Sequence, residues 1–394
     1  MDVFRSAGGA ARCEPPGRIG VRAMRSHGRR PRAPVARAML AATLACLSAA
    51  AVACPLCLGA LQQTKAQQLV AAQQVVLAVP TADTGRFRVV EVVKGERPAG
   101  ATIEGGYPRS AVPDPAASTS RKPRLLVRDE PFPTWTILGT IDGRHARWLQ
   151  RLADAKPATE RSAQAWRERV ALVVPYLEHR EPLAAELAYA ELAAAPYATL
   201  RAAKPHFVAS AVRGWLAEPS LAARQRLYLL LLGIAGNAQD AAVLERRLED
   251  AWAGANATNL GSLLAADMEL RGPARVAWVE ERYLRDRTRT APEVDAALLA
   301  LSVHGNADAA IPRSRVIEAY RVFMKAHPEV AGYVAQDLAA WRYWDAVPEY
   351  VALMKSDLRQ QVPSRVAILA YLRQSPSAEA RQFESIEAGP GTRQ

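Results

Sequence analysis

The motif in this sequence best suited to carry chemistry is Cys54-Pro55-Leu56-Cys57, which places two thiols three residues apart. A redox pair needs a thiolate of lowered pKa, normally at a helix N-terminus after a core strand, and no strand-like run precedes this pair. A structural zinc needs four ligands, of which the motif supplies two. Covalent haem attachment would need histidine at position 58, which is Leu58. A local disulfide, lipidation of Cys54, and redox, metal or partner-binding roles stay open.

Histidines and nucleophile motifs add no catalytic site. Five histidines follow this pair, and none is spaced from another or from a carboxylate as in zinc proteases; they are His145, His179, His206, His304 and His327. Three of them, His179, His304 and His327, fall near predicted helix ends, where a cation interacts favourably with the helix dipole. No Gly-x-Ser-x-Gly, phosphate loop or calcium loop occurs. We therefore predict no catalytic residue, no metal site and no cofactor.

The densest aromatic cluster consists of Trp341, Tyr343, Trp344 and Tyr350. Trp341 and Trp344 lie three positions apart and would share one face of a helix. Large rings commonly fill the space between packed helices, which is the plainer interpretation of this cluster. The sharper interpretation makes these four residues a candidate binding surface, because tryptophan and tyrosine dominate interface hot spots.

The N-terminal region has the pattern of a secretory signal. Residues 1–53 hold nine arginines and two acidic residues, which accounts for a surplus of seven of the chain's twelve net positive charges. Arginines up to Arg37 precede an apolar run from Met39 to Ala53, which ends in the small residues that signal peptidase accepts. We predict export to the periplasm or the extracellular space, with Met1 or Met24 as the start. An organellar transit peptide and an uncleaved anchor are the alternatives.

The remaining charge is interspersed along the chain, so the basic stripe that a nucleic-acid surface needs is missing. We predict no nucleic-acid partner. Membrane contact is predicted only through the signal segment or a lipid on Cys54. Two cysteines in the mature chain are too few for a disulfide scaffold, so the core must form without one.

The mature chain has two regions with different residue patterns, one typical of strands and one typical of helices. Five short β-prone runs, separated by glycine and proline, are predicted as strands over 75–79, 87–94, 102–107, 124–128 and 135–141. In the second run, valines and Phe87 occupy both faces, which favours a small closed barrel over an open sheet. A helix is predicted between Gly59 and the first strand, in a glutamine-rich segment.

From Arg144 to about residue 385 the spacing is helical and repetitive. Prolines recur just inside successive segments, at steps of 37, 73, 36 and 35 residues, the 73 being two steps; they are Pro182, Pro219, Pro292, Pro328 and Pro363. Such a period predicts an α-solenoid of helix pairs. Apolar positions three and four apart, as in Leu227, Leu230 and Ile234, predict one buried stripe per helix. Four glycines are predicted to end helices, namely Gly233, Gly236, Gly254 and Gly272.

Residues 160–385 resemble the HEAT-like repeat family in repeat length, helix pairing and recurring proline. Residues 54–142 resemble a netrin/TIMP-type module, an OB-like barrel, through Cys54, the run Phe87 to Gly95 and the five strand-like runs. In inhibitors of that family the amino-terminal cysteine binds a protease's metal, a role that maps here only onto Cys54. The spacing of the cysteines and the lack of later ones depart from that family.

The sequence thus predicts an α+β fold, predominantly α, in four parts. These are a basic extension and signal peptide (1–53), a β-barrel-like domain (54–143), HEAT-like repeats (144–385) and a disordered tail (386–394). The predicted function is that of an exported, non-enzymatic scaffold binding a protein or an extracellular polymer over the solenoid surface. The alternatives are a thiol-disulfide oxidoreductase using Cys54 and Cys57, and a lipid-anchored spacer.

Overall fold

A computed structural model describes residues 63–96, 98–106, 122–129, 134–155, 162–358 and 360–387. This part of the chain contains one small β-barrel near its N-terminal end, followed by many helices. The predicted class, α+β and predominantly α with a five-stranded barrel, is confirmed at this level. All five strands lie within one residue of their predicted ends.

The barrel closes through the strand order β1-β2-β3-β5-β4, with β4 returning to β1. The β3–β5 pair is parallel, and the other pairs are antiparallel. The strands are β1 (Gln74–Pro80), β2 (Arg86–Lys94), β3 (Thr102–Gly106), β4 (Arg124–Arg128) and β5 (Trp135–Thr140). Closure pairs both edges of the sheet, which explains how short strands form a stable unit.

Two strands of the barrel are buried on both faces. On β1, Val76 and Ala78 point into the barrel, whereas Val75 and Leu77 pack against the helices that follow. Strand β4 is divided in the same way. The second strand departs from its predicted pattern at Val90, which is exposed because a register shift between Leu77 and Ala78 leaves it without a partner on β1. The outer side of these strands therefore shares one apolar core with the first helices, and the barrel interior forms a second core.

Sixteen α-helices lie within the described residues. They are α1 (Lys65–Ala71), α2 (Ala146–Asp154), α3 (Ala163–Val173), α4 (Pro182–Ala194), α5 (Tyr197–Ala202), α6 (Ala209–Ala217), α7 (Gln225–Ala235), α8 (Ala238–Ala253), α9 (Leu260–Arg271), α10 (Arg275–Val279), α11 (Ala291–Ala307), α12 (Arg313–Ala326), α13 (Ala335–Ala340), α14 (Val347–Lys355), α15 (Val362–Gln374) and α16 (Ala378–Glu387). A π-helix, Glu280–Leu284, continues α10, and the longest 3₁₀-helices are Pro219–Arg224 and Pro328–Val334.

The recurring prolines begin helical segments, as predicted. Pro182, Pro292 and Pro363 occupy the first turns of α4, α11 and α15. Pro219 and Pro328 instead begin the 3₁₀-helices that lead into α7 and α13. Proline fits all these places because the N–H that it lacks would have no partner within the first helical turn.

Three of the four glycines predicted to end helices do so. Gly236, Gly254 and Gly272 follow the last residues of α7, α8 and α9, and Gly272 has the positive φ of +76° that favours glycine. The prediction for Gly233 was wrong, because this residue lies inside α7. Its missing side chain lets α7 approach Ala266 of α9.

The central helices are buried all round, which the single-stripe prediction did not anticipate. Every residue from Leu227 to Ile234 of α7, and from Leu260 to Met268 of α9, is buried. Helix α7 packs on α9, and α9 packs on α11. The short helix α5 contacts α3, α7 and α11, and so covers this row of helices on a further side. Helices with no polar side are expected in such a position.

Candidate functional site

Cys54 and Cys57 lie outside the residues that the structure describes. Their predicted disulfide, lipidation or redox roles therefore stay predictions. The described chain begins just after them, at Gln63, and α1 starts at Lys65 behind a capping box formed by Thr64 and Gln67.

The predicted aromatic cluster surrounds a turn and not one helix face. Helix α13 ends at Ala340, Arg342 has a φ of +55°, and Trp344 lies in the turn that leads into α14. Trp341 stacks on Tyr320 of α12 at 5.6 Å, and its indole Nε1 donates to the Asn306 side chain at 2.9 Å. The expectation that Trp341 and Trp344 share a helix face was wrong, since the positive φ at 342 reverses the chain between them.

The other aromatic residues of this cluster join α14 to α15. Tyr350 is fully buried, contacts Tyr371 edge-on at 4.9 Å, and donates its hydroxyl to the carbonyl of Ala331 at 3.2 Å. The Tyr371 hydroxyl donates to the carbonyl of Tyr343, and the Trp344 ring lies 5.1 Å from the Tyr371 ring. Trp341, Tyr343 and Trp344 are half-buried. These contacts are those of interhelix packing.

A cluster of glutamate, tyrosine, arginine and histidine joins three helices. Glu269 of α9 accepts hydrogen bonds from the Tyr197 hydroxyl at 3.1 Å and from Arg201 Nε at 2.7 Å, both on α5. Its carboxylate also lies 3.9 Å from Nδ1 of His304 on α11. These residue types serve acid–base catalysis elsewhere, but Tyr197 and His304 are buried. A substrate has no access to them, so the cluster is structural.

The three histidines near helix ends each form a hydrogen bond with a backbone group. His304 Nε2 donates to the Ala265 carbonyl at 2.9 Å, and burial lowers the pKa of His304 below its usual 6.5. His327 Nε2 donates to the Leu284 carbonyl at 3.0 Å, and His179 Nδ1 accepts from the backbone N–H of Glu181 at 3.1 Å. His304 lies in the last turn of α11, as predicted, but its burial disfavours the charged form that would interact with the helix dipole.

A second polar cluster fixes the loop after α3. Glu178 has a φ of +54°, and its carboxylate accepts hydrogen bonds from Arg224 and from the Tyr228 hydroxyl. Burial raises the pKa of Tyr228, and the adjacent carboxylate adds to this effect. Positive φ is unfavourable for glutamate, so these two bonds hold the loop in a strained conformation against α7.

A cleft of about 480 Å³ opens between α2 and α3. Arg151, Asp154, Glu168 and Arg169 line it, so both signs of charge face the opening. Arg169 turns its Nε towards the buried Glu191 at 2.5 Å. The balanced charges around this cleft select no class of ligand.

A patch of exposed apolar side chains lies near the C-terminal end of the array. Seven large apolar side chains are exposed within the described residues. Two of them, Val362 (75%) and Val366 (61%), lie one turn apart on α15, and a third, Tyr333 (41%), lies near the start of that helix. The Tyr333 hydroxyl donates to the side chain of Gln361 at 3.0 Å, which places Tyr333 beside the start of α15. We call Tyr333, Val362 and Val366 the C-terminal apolar face.

Helix α15 carries apolar side chains on two opposite sides. Ser364, Ile368 and Tyr371 are buried against the preceding helical segments. Val362 and Val366 lie at positions i and i+4 on the other side. A helix that is apolar all round is normally buried, as α7 and α9 are. No described part of the chain covers Val362 and Val366 of α15, and exposed apolar neighbours of this kind are typical of an interaction site.

Sequence reasoning missed this face because it singled out aromatic density. A signal was present, since the segment from Val362 to Leu372 holds apolar residues at more angles than one buried stripe requires. Which side the fold would cover depends on contacts of α15 with the 3₁₀-helix Pro328–Val334 and with α13, and the sequence does not give them.

Within the described ranges, no helix is both long and apolar enough to cross a membrane. The same residues contain no group of three or more histidine, cysteine or acidic side chains placed to hold a metal ion. No family model, no curated protein and no solved structure matches this chain.

Proposed function

We propose that this protein is an exported, non-enzymatic scaffold that binds a partner protein through the C-terminal apolar face. The second apolar stripe of α15 is the observation that carries this proposal. Val362 and Val366 are among the most exposed large apolar side chains of the described chain, and they lie next to each other on one helix. Their exposure has a free-energy cost that a docked partner would remove.

The burial of the central helices supports the choice of the C-terminal apolar face as the binding site. A solenoid usually binds its partners on the surface lined by its inner helices. Here the central turns of α7 and α9 are buried, and α5 packs on α7 and α11. Among the described residues, none covers Val362 and Val366 of α15, so binding is proposed there and not along the whole array.

The finer assignments of the two structural parts also belong to this proposal. The strand order β1-β2-β3-β5-β4 supports an OB-type barrel, as in the netrin/TIMP resemblance. Helical segments begun by proline at near-regular steps, with α7, α9 and α11 packed in succession, support HEAT-like repeats. Export rests on the signal pattern before residue 54.

Matched glutamate substitutions test the proposed face. The variant with Val362→Glu and Val366→Glu changes the second stripe of α15, and Val243→Glu changes an exposed valine on α8. Each protein is immobilised and exposed to the exported fraction of its native host. We expect a protein that the wild type and Val243→Glu retain and the double variant loses, and that then binds the wild type directly when purified.

Circular dichroism and the melting temperature check that both variants stay folded, as expected for exposed positions. An identical set of retained proteins on all three chains would argue against the C-terminal apolar face as the binding site. Retention that fails to reproduce with the purified partner would do the same.

A further inference from the structure

We propose that the loop of residues 177–181 is a pH-sensitive switch, which opens in acid when His145 and His179 take up protons. We call this segment the junction loop. It connects the 3₁₀-helix Val174–Tyr176 to α4, and it contacts residues that flank strands of the barrel. This switch does not depend on binding at the C-terminal apolar face.

Residues next to the barrel strands hold the junction loop in place. Lys122, which precedes β4, donates to the buried carboxylate of Glu181 at 3.3 Å. His145 is the last residue of the 3₁₀-helix that follows β5, and its ring packs edge-on against the His179 ring with centroids 5.3 Å apart. The His145 ring also contacts Tyr176 edge-on at 5.7 Å. Two adjacent histidine rings therefore join the junction loop to the barrel side.

The closed junction loop requires His179 to be unprotonated at Nδ1. This atom accepts the backbone N–H of Glu181 at 3.1 Å, a bond that orients the chain just before α4 begins at Pro182. An imidazolium has a proton on each ring nitrogen and accepts no hydrogen bond. Uptake of a proton by His179 therefore breaks this bond and leaves the Glu181 amide without its partner.

His145 is poorly placed to carry a charge. Its side chain is buried, and its Nε2 has no hydrogen-bond partner among the described residues. Burial, and next to it the neighbouring His179, lowers the pKa of His145 below its usual 6.5. The closed loop therefore disfavours a proton on His145, and an opening that admits water removes this cost.

The charged groups around His145 do not offset this cost. Arg144 disfavours a proton on His145, as His179 does. The carboxylates of Glu181 and Asp142 favour it, but each already forms an ion pair with a basic side chain, at 3.3 and 3.5 Å. If both histidines were protonated, two like charges would face each other across the ring contact and raise the free energy of the closed loop.

The backbone of the junction loop adds strain that favours opening. Glu178 has a φ of +54°, which is unfavourable for a residue with a side chain. Its carboxylate is held by Arg224, in the 3₁₀-helix before α7, and by Tyr228 of α7. A strained segment persists only while its surroundings hold it. Loss of the histidine contacts removes part of that support.

Hydrogen–deuterium exchange of the full chain at pH 7.5 and pH 5.5 tests this switch. The amides of Leu177, His179 and Glu181 are hydrogen-bonded and report on the opening of the junction loop. After correction for the intrinsic exchange rate at each pH, we expect their protection to fall about tenfold in acid, as for one proton taken up below pH 6.5. They should also exchange at least about tenfold faster than the best-protected amides of α8, because the helices stay folded.

Substitutions that do not titrate test the two histidines as the sensors. His179→Asn keeps a side-chain oxygen that can accept from the Glu181 amide, and His145→Phe keeps a ring against Tyr176. Together they should reduce the effect of pH on the loop to less than about twofold. His206→Gln is the matched control, because His206 is exposed, and it should behave as the wild type does.

Three results would overturn the switch. The first is a junction loop that keeps its protection at pH 5.5 in the wild type. The second is a loss of protection that persists in the double variant, since another group then senses the pH. The third is equal exchange of the junction loop and α8, which would indicate unfolding of the whole chain. If His145→Phe fails to fold, His179→Asn decides alone, because it should reduce the loss to about threefold or less.

Discussion

Gly233 of α7 lies so close to Ala266 of α9 that a β-carbon at position 233 would come within 2.6 Å of the Ala266 α-carbon. The neighbouring atom belongs to backbone inside a helix, which cannot rotate away as a side chain can. Both helices are buried over their central turns, so they cannot separate without opening the core.

We therefore expect Gly233→Ala to destabilise the protein, although alanine has the higher helix propensity. Overpacking of a core costs about 1–3 kcal/mol, which exceeds the gain of about 1 kcal/mol from propensity. Gly214→Ala is the matched control, because Gly214 lies within α6 with no neighbour within 4 Å of an added β-carbon. The control should be neutral or more stable. Urea unfolding measures both, and equal effects of the two substitutions would contradict the close approach of α7 and α9.

The ion pair of Arg169 and Glu191 should matter more for stability than exposed pairs of the same kind. The two side chains are each 6% exposed, with Nε and Oε2 2.5 Å apart. Glu191→Gln leaves the buried guanidinium without a countercharge, which should cost about 3 kcal/mol or more. The double substitution Arg169→Met with Glu191→Leu should recover most of this loss.

Glu104→Gln is the comparison for that pair. Arg86 and Glu104 form an ion pair at 3.3 Å on the exposed outer side of β2 and β3. Its loss should change the free energy of unfolding by less than about 1 kcal/mol. Similar losses for Glu191→Gln and Glu104→Gln would mean that Arg169 keeps contact with water.

His304 should make the protein less stable as the pH falls below 6.5. Burial lowers the pKa of His304 in the folded state, so the unfolded chain takes up a proton at this position before the folded chain does. The groups that face the ring are Glu269, Arg201 and Tyr197, and the attraction of Glu269 offsets only part of the burial effect. This site alone should reduce the free energy of unfolding by up to about 1.4 kcal/mol for each pH unit between 6.5 and the lowered pKa.

His304→Gln tests this contribution, since glutamine keeps a donor near the Ala265 carbonyl but does not titrate. Urea unfolding at pH 7.5, 6.5 and 5.5 should show the wild type losing stability relative to the variant towards low pH. A constant difference between the two proteins over this range would show that the histidine is not held in its neutral form.

The sequence was sufficient for elements whose formation is local. The strand that begins at Arg124 and the helix that begins at Pro182 were both predicted, because alternation, proline and apolar spacing act within a few residues. Gly233 was misassigned because glycine is favoured both where a helix ends and where two helices approach closely, and the sequence does not distinguish these two cases. The contact of Glu269 with Tyr197 joins residues 72 positions apart, and nothing local encodes it.

The C-terminal apolar face failed to emerge from the sequence for a related reason. Val362 and Ile368 are equivalent in the apolar pattern of the sequence, yet Val362 is exposed and Ile368 is buried. The difference is set by which neighbours α15 meets. Trp341 shows the reverse case. The sequence made it a candidate for a binding surface, but its ring packs against Tyr320 at the turn that follows α13.

Asp337 should lower the stability of the protein as the pH rises above about 4. Burial raises the pKa of this carboxyl above its usual 3.8, and the hydrogen bond that it accepts from Tyr320 at 2.6 Å opposes this shift only in part. Between pH 3.8 and the raised pKa, the folded state therefore holds more protons at this site than the unfolded state. Stability that is present in acid is lost as the pH rises through this window.

Asp337→Asn removes this titration and keeps an oxygen that can accept from the Tyr320 hydroxyl. We expect the variant to gain stability relative to the wild type as the pH rises from 3.8 through the raised pKa of Asp337, and to keep this gain at higher pH. Urea unfolding at several pH values in this range measures the difference. If instead the variant is less stable by the same amount at every pH, the carboxyl is ionised at little cost, which would require water or a cation beside Asp337 and Tyr320.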